Sequence, residues 1–310
     1  MRKYLITILL ISSLLPIPHL TADEEYKSVD RLTLYKKTES LTLIPWYYLA
    51  AIDQYERQIH DGKGLIAITF PETDWYGVSN LNHDPSVTSI TVHNGMGKDG
   101  NGDGEADIDN PEDQLYTMAD YILSYGLSKN DIHLALWKHY QRPLAVKTIV
   151  QNAKIYEAYQ TIELTDRAFP VPEHFNYSYR STWGDARGFG GRRIHEGTDI
   201  FADYGTPVRA TTYGTIEIMG WNRYGGWRLG IRDLNNVYHY FAHLNGFEND
   251  RKVGDVVEPG DVIGYVGSSG YGPPGTSGKF PPHLHYGMYK DNGENEWAFD
   301  PYPSLRKWEN

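Results

Sequence analysis

Five of the chain's 12 histidines fall in three short stretches, RRIHEGTDIF, VYHYFAHL and PPHLHYGMY. In the last of these, His283 and His285 stand one leucine apart. On a β-strand alternate side chains share a face, so the two imidazoles point one way and Leu284 the other. Alone, such a pair is more often two half-exposed histidines at a sheet edge. His195 and Asp199 are four apart, a spacing that puts them on one face of a helical turn and also of an extended segment. His239 and His243 repeat that spacing in a stretch that reads as β, which predicts that both share a face. Because the chain has no cysteine, a metal would have to be held by imidazole and carboxylate. Three such donors with a fourth position left to water are what a catalytic zinc site needs. His195, Asp199 and one member of the His283/His285 pair supply them. The remaining histidines would move protons, since water acidified by zinc still needs a base beside it. The HExxH helix of the thermolysin type is absent.

Those stretches need a frame of strands to bring them together. After Asp166 glycine and proline become frequent, and short β-rich runs appear: TPVRATT, GTIEIMGW, WRLGIRDL, VYHYFAHL, DVIGYVG and HLHYGMY. Turn residues separate them, among them Gly214, Gly225, Gly226, Asn235, Asn236, Pro259 and Gly260. The pattern predicts an antiparallel sheet or barrel-like sandwich over residues 166–310. Between it and residues 23–165, which read as all-α from about Leu41 to Ile162, the segment FPVP cannot continue a helix. In the helical part Ile44, Tyr48, Ile52, Tyr55 and Ile59 recur at three and four, one face of a helix. Asn110 is placed to cap a second helix, with Pro111 at its first position, Glu112 and Asp113 in its first turn and Gly126 to stop it.

The first 22 residues have the layout of a secretory signal peptide: Arg2 and Lys3, an apolar run to Leu15, Pro16 and Pro18, then small residues up to Ala22. The apolar run is too short to cross a bilayer comfortably, so no stable membrane span is expected once it is removed. A formal net charge of -11 argues against nucleic acid as the main partner.

The segments HEGTDIFADYGTPVRATTYGTI, YFAHL, VGDVVEPGDVIGYVGSSGYG and HLHYGM stand in that order. Together they resemble the LytM/lysostaphin-type zinc endopeptidases, which cut the peptide part of bacterial peptidoglycan. The likeness covers about Phe169 to Pro301 and implies a LytM-like duplicated-hybrid β fold. It also implies zinc ligands at His195, Asp199 and His285 and catalytic histidines at His243 and His283. His239 is then left with a structural role. GWNRYGGWRLGIRD, GSSGYGPPGTSGKFPPHLHYGMYKDNG and DPYP are similar to a narrower group, the spore-cortex peptidases of endospore formers. That likeness implies cleavage of the L-alanine–D-glutamate bond, and an exported protein acting in the cell wall or cortex region. From composition, the loop GSSGYGPPGTSGKFPP is expected to wall a substrate groove. Trp221, Tyr224 and Trp227 are candidates to line it.

In the helical part Glu56 shares the apolar face of its helix, where burial would raise its pKa as a general acid for glycoside cleavage requires. IPWYYLAAIDQYE resembles the catalytic helix of lysozyme-like lytic transglycosylases, which implies a lysozyme-like fold and puts Glu56 at their catalytic acid. Arg57 stands where that family has serine, and its GLMQ-like groove segment is missing. Glycan binding that presents the peptide stem to the neighbouring peptidase is therefore the preferred expectation. Asp99, Asn101, Asp103, Glu105 and Asp107, with Gly104 at the turn, follow the start of a calcium loop, although Asn110 occupies the twelfth position where glutamate is wanted. Two rival readings remain. A non-catalytic LytM-like wall-binding regulator or adaptor would be expected to lack some of the five positions, and all five are filled. A cupin-type metal protein would need a glutamate shortly after the His-x-His pair, where Tyr289 and Lys290 stand.

Overall fold

The structure, a computed structural model, describes residues 22–60, 64–188 and 192–309. The expected signal segment, apart from Ala22, lies outside the described residues. Among the described residues seven helices come first: α1 (Ala22–Thr42), α2 (Trp46–Ile59), α3 (Glu72–Tyr76), α4 (Val87–Val92), α5 (Pro111–Leu123), α6 (Lys129–Tyr140) and α7 (Pro143–Tyr159). The strands follow: β1 (Tyr177–Tyr179), β2 (Ala186–Arg187), β3 (Arg193–Ile194), β4 (Thr198–Ala202), β5 (Pro207–Arg209), β6 (Gly214–Asn222), β7 (Gly226–Asp233), β8 (Val237–Phe247), β9 (Val256–Val257), β10 (Val262–Val266), β11 (His283–Asp291) and β12 (Glu296–Phe299). A short helix, α8 (Tyr302–Trp308), ends the described chain.

The helices form where capping and periodicity place them, with two differences. The Asn110 side chain accepts hydrogen bonds from the Glu112 and Asp113 amides and starts α5 at Pro111. That helix ends at Leu123, three residues short of Gly126. Helix α2 buries Tyr48, Leu49, Ile52 and Tyr55. Ile44, read as part of its apolar face, lies before it, because Pro45 is the N-cap. Helix α1 begins well before Leu41, where the helical pattern of the sequence starts. Its mixed, charged sequence carries little amphipathic signal, and buried Tyr35 ties it to the helical core.

The acidic loop is held in shape by hydrogen bonds from its own backbone amides. Asp99 accepts from the amides of Gly102 and Gly104, Asn101 from Asp103, and Asp103 from Glu105. Asn110 is spent on capping α5, and buried Asp113 ties the loop down by accepting from the amides of Gly100 and Asp107 at 2.7 and 2.8 Å. Among the described residues, the only group of three or more His, Cys, Asp or Glu that converges as a metal site would require lies in the β half.

Among the described residues the β half has a ten-stranded antiparallel sheet in the order β1-β4-β11-β8-β7-β6-β9, with β12 on β11 and β10 joining β5 to β8, and a separate two-stranded pair, β2 and β3. Its core is Ile200, Ile216, Leu229, Ile231, Phe241, Leu244, Leu284 and Tyr286 with their neighbours. A separate apolar core serves the helices, and Leu234 of the β7–β8 turn reaches into it. The halves meet where α7 packs against β6, β7 and β9, with Tyr213 and Val256 against the helical core, and through polar contacts at the far end of β11. Arg142 makes two hydrogen bonds to the fully buried Asp291 carboxylate, at 2.8 and 2.6 Å. Gln54 donates to the Leu234 carbonyl and Lys290 to Gln58. Asp291 lies eight residues along the strand from His283, roughly 26 Å at an extended rise. On β11 itself, the helices hold the end opposite its histidines.

Candidate metal centre and active site

Three adjacent strands carry the candidate residues. Strand β11 lies between β4 and β8, and His285 pairs directly with Asp199 on one side and Ala242 on the other. Opposed residues in a sheet share a face, so Asp199 joins His283 and His285 above the groove while Leu284 and Tyr286 enter the core. His195 precedes β4, and the bend at Glu196–Gly197 returns it over Asp199. Gly197 is required there, because a Cβ would stand 2.6 Å from the His285 ring.

The result is a tight triangle of donor atoms. His195 Nε2 is 2.9 Å from His285 Nδ1 and 3.0 Å from Asp199 Oδ1, and the last two atoms are 3.1 Å apart. His195 Nδ1 donates to the Thr182 carbonyl at 2.8 Å, which leaves its Nε2 a lone pair. Three lone-pair atoms facing one another at such distances repel unless a cation or a shared proton lies among them. The set of two imidazoles and a carboxylate fits zinc. Burial pushes the Asp199 carboxyl up, but its polar contacts with His195 and His285, and the charge that His285 and His283 carry when protonated, outweigh it and hold it well below the usual carboxylate range. Its second oxygen, Oδ2, accepts from Arg187 at 2.6 Å. Thr182 braces the carboxylate from behind by accepting the Asp199 amide.

The two other imidazoles stand beside this triangle. His283 Nδ1 donates to the Pro281 carbonyl at 2.9 Å, and its Nε2 lies 3.8 Å from Asp199 Oδ1. His243 Nδ1 donates to the Ser269 carbonyl at 2.8 Å, and its ring centroid is 4.9 Å from that of His283. Each therefore keeps a lone pair on Nε2. Burial lowers the pKa of both, and pushes His243 down to about 3, with the nearby His283 and His285 adding to the effect. Near neutral pH both are bases rather than cations.

A bulge aims His243. Strand β7 pairs Trp227 with Leu244 but Leu229 with Phe241, so β8 carries one extra residue there. His243 has φ 63°, a left-handed conformation uncommon outside glycine. Its amide donates to Gly225 at 2.7 Å. Strict alternation would have put His243 on the core face with His239 and Phe241, and the extra residue turns it into the groove. The expectation that His239 shares the face of His243 is therefore corrected. His239 is buried on the other side, with Nδ1 2.6 Å from the Tyr286 hydroxyl and Nε2 3.2 Å from Asp233 Oδ2.

The five expected residues line one cavity of about 640 Å³. The loop after β10 contributes Tyr271, Lys279 and Phe280 to its wall, and Tyr224 lines it as well. Trp221 and Trp227 do not. They pack edge to face on each other, and Trp221 donates to the Gly272 carbonyl. Sequence reasoning missed Arg187, Thr182 and the carbonyls that orient the histidines, because no spacing rule links them to the site. Glu56 lies in the helical half, buried, with Tyr140 donating to Oε1 at 2.6 Å and His60 Nε2 3.2 Å from Oε2. Thr69 also donates to Oε2. Burial pushes its carboxyl up, against the hydrogen bond from Tyr140.

A model of peptidase family M23 matches residues 193–301, the stretch that holds the triangle and both remaining imidazoles. With a relative of 59% identity along nearly all of its length, the chain belongs to peptidase family M23. That relative is the L-Ala–D-Glu endopeptidase of Bacillus subtilis, aligned over 287 residues that cover 90% of this chain and 88% of the relative. The glycyl-glycine endopeptidase ALE-1 of Staphylococcus capitis is 39% identical over 114 residues, 36% of this chain and 29% of that protein. The DD-carboxypeptidase/endopeptidase Mpg of Neisseria meningitidis is 43% identical over 96 residues, 30% of this chain and 20% of that protein.

Proposed function

We propose that the chain is a zinc endopeptidase that cuts the L-Ala–D-Glu bond in the peptide stem of peptidoglycan. The observation that carries the chemistry is the triangle of His195 Nε2, Asp199 Oδ1 and His285 Nδ1 with two neutral imidazoles on the same groove. The choice of bond rests on the likeness to the Bacillus enzyme, which extends over both halves of the chain. In this reading those three atoms hold the ion. Zinc, when bound, polarises a carbonyl oxygen and makes water a better nucleophile near pH 7.

The chain's own residues do the rest. Arg187 fixes Asp199 through Oδ2, so that Oδ1 alone faces the ion. His283 is the better base, since Asp199 lies 3.8 Å from its Nε2 and favours the imidazolium formed when water gives up its proton. The same Nε2–H then stands ready to protonate the departing D-glutamyl amine. His243, held neutral by burial, offers Nε2 as an acceptor that orients the water or the scissile N–H.

For the helical half, taken as a module of residues 23–165 beside a peptidase module of 166–310, the reading is that it binds the glycan strand and presents the stem. Its attachment by the buried Arg142–Asp291 pair supports a fixed presentation rather than a tethered one. Three side chains occupy both oxygens of Glu56, which favours binding over lysozyme-like catalysis. The site of action is then outside the membrane, in the wall or the spore cortex.

Digestion of purified muropeptides, with new termini mapped by mass spectrometry, tests both statements. New N-terminal D-glutamate is the expected product. Cleavage only at glycyl-glycine or D-alanyl bonds would overturn the choice of bond. Anhydromuramic ends that disappear in a Glu56→Gln variant would replace the binding role with a transglycosylase.

A further inference from the structure

The face of the sheet that carries the metal centre continues beyond it. On β11 and β8 the cross-strand pairs run His285 with Ala242, Gly287 with Tyr240, and Tyr289 with Tyr238. Opposed residues share a face and alternate residues return to it, so Tyr240, Tyr289 and Tyr238 stand on the side of His285. Phe241, Tyr286 and Met288, which alternate with them, belong to the core. Tyr240 and Tyr289 are half-buried and line the same cavity as the five site residues. The Tyr240 ring centroid lies 5.9 Å from that of His285, and the Tyr289 centroid 6.1 Å from that of Tyr238. Gly287 keeps the floor between them bare: a Cβ there would stand 3.2 Å from Tyr289 Cε2 and 3.6 Å from Tyr240 Cβ. The next position of β11 on this face is Asp291, which Arg142 of the helical half holds. A band of tyrosines thus leads from the metal centre toward the helices, and hydrolysis itself does not use it.

The substrate class proposed above has a group of matching chemistry at a matching distance. In peptidoglycan one lactyl unit joins the L-alanine to the muramoyl sugar. Two residue-lengths of extended chain, roughly 7 Å, therefore separate the scissile carbonyl from the pyranose. One step along this face, two residues of strand, is also roughly 7 Å, which carries the sugar from His285 to Tyr240 and Gly287. An amide-linked N-acetylmuramoyl ring is uncharged, with a C–H face suited to a flat aromatic surface and polar groups at its edge. For those, the exposed Glu196, also on the cavity wall, offers an acceptor. We propose that Tyr240 and Tyr289 form a subsite for the muramoyl sugar on the L-alanine side of the scissile bond. The inference rests on the L-Ala–D-Glu reading and deepens it, because a glycyl-glycine or D-alanyl bond lies too far from the sugar to use such a subsite. A sugar held there sends its strand toward the helical half, as a glycan-binding module requires.

The test uses two synthetic substrates that differ only in the sugar: N-acetylmuramoyl-L-Ala–γ-D-Glu–L-Lys and N-lactoyl-L-Ala–γ-D-Glu–L-Lys. The zinc-loaded full chain should prefer the first by roughly tenfold in kcat/KM, the weight of one ring face removed from water. The preference should reside in KM. The double variant Tyr240→Ala, Tyr289→Ala should cut the two substrates equally well, while Tyr289→Phe, which keeps the flat ring, should retain the preference. Zinc content and thermal midpoint are read alongside. If the double variant loses either, Tyr289→Leu, which keeps apolar bulk without the ring, should show the reduced preference in its place. Equal cleavage of both substrates by the wild type, or an undiminished preference in these variants, would overturn the inference and leave the choice of bond standing. Cleavage of neither, with cleavage of a glycyl-glycine peptide instead, would overturn the choice of bond and the inference with it.

Discussion

Each half of the molecule buries a carboxylate in a polar cluster, and the two clusters are built on opposite principles. Asp53 in the helical half is surrounded by donors. Arg31 reaches Oδ2 at 2.7 Å and Tyr35 at 2.5 Å, Arg57 adds a contact at 3.2 Å, and the Ala67 amide caps Oδ1. Every neighbour gives a proton, and nothing is left over. Asp199 in the β half has Arg187 on one oxygen, but the other faces two imidazole nitrogens, one of which has its proton held elsewhere. A buried carboxylate whose neighbours all donate is finished structure. One whose neighbours bring lone pairs is a place for something else to bind.

The sharpest way to break that contrast is to remove a lone pair from the β cluster. His285→Ala should lose zinc and abolish cleavage, a fall of at least about a thousandfold. His243→Ala should lose comparable activity but keep the metal, because its Nε2 lies outside the triangle. Metal content of the purified variants, measured beside their rates on peptidoglycan, separates the two. A His285 variant that retains stoichiometric zinc would show that the triangle is not the metal site.

Removing the charge from the helical cluster should act on stability instead. Asp53→Asn keeps the size of the side chain but leaves Arg31 and Arg57 without their counter-charge. Breaking a buried ion pair from one side costs about 3–5 kcal/mol. The denaturant midpoint should fall accordingly, while zinc content per folded molecule should hold. If metal retention fell in step with stability, the Arg142–Asp291 attachment would be coupling the halves tightly enough to make them one unit.

The same contrast explains how far the sequence could be read. The period of two along a strand places His283 and His285 together, and that holds because β11 is regular throughout its length. His195 and Asp199 converge although neither a helix nor a continuous strand joins them, since a spacing of four survives a bend at glycine. The period fails at His243, where one inserted residue inverts the face of everything before it, and no local signal in VYHYFAHL announces a bulge. Arg187 was illegible for a different reason. It stands on β2, which pairs with β3, while its partner Asp199 is on β4, and no local spacing links the two. In the helical half the capping residues were readable, because a cap is a contact within three residues. Helix α1, which is held by Tyr35 and Arg31 reaching Asp53 in α2, was not.

The smallest expected effect concerns Glu56, the second buried acid of the helical half, and it tests whether burial alone governs that side. Burial raises its carboxyl above the ordinary 4.5, so between that value and the raised one the folded chain binds more protons than the unfolded chain. The contribution of Glu56 to stability is therefore greatest below the ordinary value, and it declines as pH rises through the folded pKa. His60, exposed and facing the same oxygen, works in the opposite direction while it carries a charge. Glu56→Gln keeps an acceptor for Tyr140 and has no proton to lose, so it should flatten this limb. The variant should then match or exceed the wild type near neutrality, by on the order of 1 kcal/mol or less. Thermal midpoints of both proteins from about pH 4 to about pH 8 measure the difference directly. Parallel curves would mean that Tyr140, Thr69 and His60 offset the burial completely. Glu56 would then belong with Asp53, as a carboxylate whose donors leave it nothing to do.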